Sequence, residues 1–169
     1  MKISRAHRPL RTEFFATSIR DETKGVTIAY SDTILDPRID AHALDYLSAC
    51  KHFLGLTAHY LVKADASVEI GRNPHTITSE GDPAFRDLNF LVAVVGGRNE
   101  VGDRVSTITA AQRNSVEWLL QSLADSLQTA LIITDYVADK SLRDRQHELE
   151  LAEERQEARL DQLEVASGT

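Results

Sequence analysis

Two rhythms of apolar and polar positions run along this chain, and the change from one to the other divides it. The first, short and β-like, begins with Phe14-Phe15-Ala16-Thr17-Ser18-Ile19. The polar stretch from Arg20 to Gly25 follows, then Val26-Thr27-Ile28-Ala29-Tyr30, enriched in β-branched and aromatic residues. Glu13 to Ile34 therefore has hairpin texture. Asp36-Pro37 opens a new element, and a helix is predicted from about Arg38 to Leu56, with Ile39, Leu44, Leu47, Ala49 or Cys50, and Leu54 on its core face. His59–Val62, Val68–Ile70 and Thr76–Thr78 read as short strands, the last two separated by an Asn73-Pro74 turn. Asp82-Pro83 suits the start of a helical turn. The apolar run Phe90–Val95, rich in Val and closed by Gly96-Gly97, reads as a buried strand, and Arg104–Ile108 as one more. These pieces predict a small antiparallel sheet with a helix packed on it.

From Thr109 the period changes to that of a helix. Thr109-Ala110-Ala111-Gln112 fits a capping box, in which hydroxyl and amide each satisfy a backbone N–H of the first turn. No Pro or Gly follows until Gly168. A helix to about Val165 would be roughly 85 Å long at 1.5 Å per residue, more than a compact body can cover. Val116, Leu127, Ala138, Leu149 and Leu160 recur every eleven residues, the spacing of a nearly straight seam. A seven-residue alignment through Val116, Leu123, Ala130 and Val137, then Leu151, Ala158 and Val165, broken by Asp144, is the alternative, and one sequence does not choose between them. Trp118, Ile132, Ile133 and Tyr136 add apolar groups off the stripe, which predicts burial of the first half. Beyond Asp139 a dense charged surface leaves only a narrow seam, with Leu142, Leu149, Ala152, Leu160 and Leu163 as the expected oligomer interface. Like charges three or four apart, such as Glu150 with Glu153 and Glu154, favour a partner helix over a solitary one.

The expected fold class is thus α+β, with a long C-terminal helix projecting as a coiled-coil-like rod. The expected organisation is a basic arm over 1–12, a body over 13–138 and a charged helical extension over 139–169. The arm carries Lys2, Arg5, His7, Arg8 and Arg11 with no acid before Glu13, while the extension is net acidic. They could pair between subunits, or be unrelated solvated ends.

Composition narrows the partners. An apolar share of 42% is ordinary for a soluble domain, and a formal net charge of −7 argues against general nucleic-acid binding. No stretch approaches eighteen apolar residues and the N-terminus lacks a signal-peptide core, so no membrane partner and a cytoplasmic location are expected, with incorporation into a particle assembled there as the alternative. The single Cys50 fits a reducing compartment and a buried thiol.

Candidate chemistry is thin. Asp45, His52 and His59 recur every seven residues, with His42 one turn before Asp45. Seven residues of helix span about 10 Å, which no single metal bridges, so these read as surface or capped side chains. Asp144 and His147 are spaced to share a helix face, without a third ligand near them. Gly96-Gly97-Arg98-Asn99-Glu100-Val101-Gly102 follows a strand as a phosphate loop would, but Asp103 stands where a Lys is required, and the stretch reads as a tight surface turn. No nucleophile elbow, Cys/His pair or acid/base pair stands out, so no metal, no cofactor and no enzymatic activity are expected.

The run Leu119-Leu120-Gln121-Ser122-Leu123-Ala124-Asp125-Ser126-Leu127-Gln128-Thr129-Ala130-Leu131 resembles the exit helix of GAF-type sensor domains. That resemblance implies a small sheet domain passing a signal into a coiled-coil linker. The first expectation is a non-enzymatic assembly protein (scaffold, adaptor or virion component) that forms a homo-oligomer by helix–helix packing. A sensory or regulatory module is the alternative.

Overall fold

In the computed structural model, the described residues are 2–11, 18–50, 55–78, 87–128 and 130–135. They belong to the first of the two units into which the chain divides, 1–136; the second, 137–169, lies outside them.

The elements in chain order are β1 (Ile3–Arg5), β2 (Gly25–Tyr30), β3 (Thr33–Ile34), α1 (Ala41–Cys50), β4 (Tyr60–Val62), β5 (Val68–Ile70), β6 (Asn89–Val94), β7 (Gly97–Arg98), α2 (Ala110–Leu127) and β8 (Ile132–Asp135). Six strands form one sheet in the order β1-β5-β4-β6-β2-β8. Its centre is parallel: β6 pairs in register with β2 and β4, and β2 with β8. Among the described residues, β4·β5 is the one antiparallel pair of this sheet. The two-residue strands β3 and β7 extend β2 and β6 and pair in parallel again.

A parallel pair needs a crossover, and each helix supplies one. The chain leaves β2 through α1 and enters β4, then leaves β6 through α2 and enters β8 on the other side of β2. These crossovers run in opposite directions across the sheet, so right-handed connections place the helices on opposite faces. The burial pattern agrees. Every residue of β6 is buried, as a strand covered on both faces requires. Leu91, Ala93 and Val95 join Leu61, Leu44, Ala41, Leu56, Ala58 and Leu10 in the core under α1. The alternate positions Val26, Ile28, Val62, Val92 and Val94 are equally buried and face the other way. Val116, Leu119 and Leu123 of α2 supply the cover for that side.

Polar caps hold the helices in place. Asp40 accepts the Ala43 N–H at 2.8 Å, and the buried Glu69 carboxylate of β5 accepts the Ala41 N–H at 3.0 Å, an anion at a helix N-terminus. At α2 the predicted capping box is present in full.

The expected antiparallel sheet and projecting rod are corrected here. The long helix stops at Leu127: Gln128 takes a left-handed conformation (φ 52°) and its N–H turns back to the carbonyls of the last turn. Four residues later Ile132 and Ile133 pair with Gly25 and Val26. These two β-branched residues sat off the helical stripe because they belong to a strand. The run in β6 that is apolar on both faces was the mark of a parallel sheet. Residues expected as a basic arm contribute β1, which pairs with β5, and the fully buried Leu10.

The two layers differ testably. Ile28 is 6% exposed and Ile132 of the edge strand 60%. Ile28→Val should cost about 1 kcal/mol in urea unfolding, the usual loss for a buried methylene, while Ile132→Val should leave the midpoint nearly unchanged.

Candidate functional site at the C-terminal edge of the sheet

In open α/β sheets the crevice for a ligand lies beyond the carboxyl ends of the strands, where successive crossovers leave in opposite directions. Here that point lies between β2 and β6. The residues that follow them, 31–34 and 95–98, build its floor.

Both strands bend as they leave the sheet. Asp32 sits at φ 59°, and Gly96 and Gly97 at φ 135° and 101°. The second pair needs glycine for room as well as for rotation: a Cβ on Gly96 would lie 2.0 Å from the Thr107 hydroxyl, and one on Gly97 2.7 Å from the Tyr30 Cβ. Backbone bonds carry the pairing through the bend, from Ser31 N–H to Val94 O at 2.9 Å and from Thr33 N–H to Gly96 O at 3.0 Å. The Ser31 hydroxyl accepts the Gly96 N–H at 3.2 Å and lies 2.7 Å from the Thr33 hydroxyl.

Above this floor the left-handed turn aims the Asp32 carboxylate at two guanidiniums. Arg98 Nη2 donates to it at 2.9 Å, and Arg104 Nε lies at 3.4 Å. The bond and the charge of Asp32 hold Arg98 above the usual guanidinium range. The Tyr30 hydroxyl lies 2.8 Å from the Ser106 hydroxyl and accepts the Ile108 N–H at 3.3 Å. The edge therefore offers two cations, one anion and several hydroxyls, a surface suited to a polar ligand carrying hydroxyl, amide and carboxylate groups.

The opposite edge of the sheet is built as a plug. His59, fully buried, accepts the Leu91 N–H on Nδ1 at 2.8 Å, so Nε2 carries the proton and donates to Thr76 O at 2.8 Å. Burial lowers its pKa to about 3, with the Arg20 and Arg72 charges adding to the shift. Arg20 lies with its guanidinium 4.3 Å from the Phe90 ring centre and donates to the Asn89 and Pro74 carbonyls. Arg72 donates to the Thr76 hydroxyl at 3.0 Å. Desolvation lowers both guanidiniums, and each remains a cation held by neutral acceptors, Arg20 by the Phe90 face as well.

The residues singled out in the sequence scatter. Asp45 is buried and accepts the Arg11 and Leu56 N–H groups at 2.8 and 2.7 Å, stapling the flanks of α1. His59 stands beside β4, beyond the end of α1, so the seven-residue recurrence of Asp45 and His59 never falls on one helix. His42 packs edge-on against His7, ring centres 4.6 Å apart. Cys50, expected buried, is exposed at the end of α1, on the side where Tyr46 also faces solvent. His52, Asp144 and His147, and the expected interface of Leu142, Leu149, Ala152, Leu160 and Leu163, lie outside the described residues. Among the described residues no group of three or more His, Cys, Asp or Glu could hold a metal ion. Also among them, no helix is long and apolar enough to cross a membrane. Sequence reasoning missed the Asp32–Arg98–Arg104 cluster. The one local signal was a strand followed by an Asp and two polar, hydroxyl-bearing neighbours.

No protein-family model matches the sequence. No curated protein is similar to it at the level of sequence. Solved structures are similar in fold. The N-acetylmuramoyl-L-alanine amidase LysC from Clostridium intestinale superposes with a TM-score of 0.63 at 17% identity, over 80% of this chain and 82% of that one. The endolysin of a Thermus scotoductus bacteriophage gives 0.60 at 15%, over 79% and 84%. The Drosophila peptidoglycan recognition protein SD gives 0.61 at 17%, over 79% and 82%. These likenesses overturn the expected coiled-coil assembly protein, scaffold or virion component. They also remove the ground for expecting no enzymatic activity, since amidases share this architecture. The chain has the mixed α/β fold, with its six-stranded sheet, that is found in amidases and peptidoglycan recognition proteins.

Proposed function

We propose that this domain acts on peptidoglycan, taking a sugar–peptide segment at the C-terminal edge formed by β2 and β6. The observation that carries this reading is the agreement of two kinds of neighbour. Enzymes named for the N-acetylmuramoyl-L-alanine amide bond and recognition proteins named for peptidoglycan superpose over about four-fifths of the chain. The chemistry of the edge supports it. Arg98 and Arg104 suit the carboxylates of a peptide stem, and the Tyr30, Ser31, Thr33 and Ser106 hydroxyls suit sugar hydroxyls and amides.

Binding is common to both kinds of neighbour, and amide hydrolysis is the reaction of one of them. Cleavage would add water across the muramoyl–alanine amide and leave a carboxylate and a new primary amine. Purified peptidoglycan sacculi test both. The chain should sediment with sacculi, and Arg98→Gln should reduce the bound fraction several-fold. Appearance of new primary amines in the same incubation would add hydrolysis. A chain that neither sediments nor releases amines would end this proposal.

A further inference from the structure

The same edge is covered by a strap of the chain's own backbone, residues 99–108, between β7 and the N-cap of α2. We infer that this strap is a latched lid over the β2/β6 crevice, and that the Asp32 carboxylate is its latch. The inference rests on the proposed peptidoglycan site and adds a means of regulating access to it.

The strap is joined to the end of β2 at two places. Asp32 reaches Arg98 and Arg104, the residues at the two feet of the turn 99–103, which also face each other as an isolated antiparallel bridge. Tyr30 reaches Ser106 and the Ile108 N–H further along. The turn 99–103 is closed within itself, by Asn99 N–H to Asp103 O at 3.0 Å and Gly102 N–H to Asn99 O at 3.1 Å, and can move as a unit. Two bonds tie the rest of the strap to β7: Val105 N–H to Gly97 O at 3.1 Å and Gly97 N–H to the Thr107 hydroxyl at 2.8 Å.

Its anchors are of unequal strength. The core does not hold this segment: Val101, in the middle of the turn, is 82% exposed and Val105, just beyond it, 40%. The latch itself is wet, with Asp32, Arg98 and Arg104 side chains 33%, 34% and 56% exposed, so each ion pair contributes little. One end has room to turn and the other is fixed. Gly96 and Gly97 occupy positive-φ conformations at the first, and Thr109, the N-cap of α2, is held in its capping box at the second. A unit with a closed interior, glycine at its root and a few weak bonds to the opposite strand opens at small cost. Asp32 is the residue that joins these facts. A non-glycine residue in the left-handed region stores strain, and here the strained turn sends its carboxylate to both arginines. With the latch closed, those guanidiniums are occupied. A ligand carboxylate gains them when the strap lifts, so ligand affinity is reduced by the fraction of molecules that are closed.

The test is amide exchange together with affinity, on the full chain. Asp32→Asn and Arg104→Gln each remove one partner of the same pair. Both should speed exchange at Val105 and Ile108 by about two- to fivefold while leaving the β6 amides unchanged. Asp32→Asn should also tighten binding of a muramyl pentapeptide a few-fold, whereas Arg104→Gln removes a ligand cation along with the latch and should not. Exchange that stays at the wild-type rate in both variants refutes the latch. Faster exchange in Asp32→Asn with unchanged or weaker binding refutes the gate. Should either variant fail to fold, wild-type exchange compared between 0.05 and 0.5 M NaCl replaces it, because salt screens a half-exposed pair. Strap exchange that salt does not quicken then counts against the latch. Absence of binding by wild type and both variants would instead sink the peptidoglycan reading, leaving exchange alone to decide the latch.

Discussion

Stability should fall steeply as the solution is acidified from pH 6.5 toward pH 3, and His59 should account for much of the fall. Its two nitrogens are committed: Nδ1 receives the Leu91 N–H, and Nε2–H points at the Thr76 carbonyl. A second proton would have to enter on Nδ1, facing a donor in a dry pocket near two guanidiniums. The folded pKa is accordingly lowered to about 3, whereas the unfolded chain takes up that proton near 6.5. Between these values the unfolded state binds the extra proton and the native state does not, so stability rises with pH and is lost as pH falls. At roughly 1.4 kcal/mol per unit the loss is about 2 kcal/mol by pH 5 and on the order of 4 kcal/mol by pH 3.5. Acid also protonates carboxylates such as Asp36 and Asp65, both held below the usual range by their neighbours' hydrogen bonds. The informative quantity is therefore the difference between wild type and His59→Gln in urea unfolding at each pH. Gln keeps an acceptor and a donor but cannot charge, so the carboxylate contribution cancels. The wild-type advantage should shrink by these amounts, and a gap that stays constant from pH 7 to pH 4 would remove His59 from the account.

What could be read along the chain followed from how local each cause was. The α2 cap was legible because Thr109 and Gln112 satisfy each other within one turn. Val26–Tyr30 and Phe90–Val95 were legible as strands because β-branched residues cluster there. The end of α2 was hidden, since neither Gly nor Pro marks it and Gln128 turns left-handed without any compositional signal. Leu131, in the coil just before β8, happens to stand eleven residues after Leu120 of the helix. Tertiary pairing with Gly25 and Val26 decides that Ile132 and Ile133 form a strand.

The candidate site was illegible for a different reason. Asp32, Arg98 and Arg104 are separated by 66 or more residues on one side of the cluster, and only the parallel pairing of β3 with β7 brings them together. Asp32 reads as a loop residue in any sequence scan. Its left-handed backbone and its two arginines appear only once the strands have been placed. The plug at the other edge has the same character, because His59, Leu91 and Thr76 come from three segments. The fold likeness to amidases and recognition proteins, at 17% identity or below, was hidden for the same reason. Topology is carried by burial pattern and crossover direction, which tolerate nearly any exchange among Val, Ile, Leu and Ala.

The second large effect is expected at Gln112, where one buried side chain serves the helix cap and the sheet together. Its Oε1 accepts the Thr109 N–H at 3.0 Å, closing the capping box. Its Nε2 donates to Lys63 O at 3.1 Å and to Val95 O at 3.0 Å, the carbonyls that follow β4 and β6. The start of α2 is thereby fixed to the ends of two central strands, and with it the exit of the strap that leads from β7 to Thr109. Gln112→Leu keeps most of the volume but removes all three bonds; the Lys63 carbonyl keeps the Ala66 N–H, while the Val95 carbonyl and the Thr109 N–H each lose the partner that Gln112 supplied. A lost hydrogen bond is worth about 1 kcal/mol and an orphaned buried group roughly 1–3 kcal/mol, so about 3–4 kcal/mol should disappear from the unfolding free energy. Gln112→Glu separates the two roles. In an isolated capping box Glu serves as well as Gln, so a purely local role predicts a change under about 1 kcal/mol. Here the carboxylate would face two carbonyl oxygens, and the Glu variant should be as damaging as Leu at pH 7 and recover part of the loss at acidic pH, where a protonated carboxyl can donate to one of them. Urea midpoints for the two variants at pH 7 and pH 5 decide between a cap that happens to be buried and a side chain that ties helix to sheet.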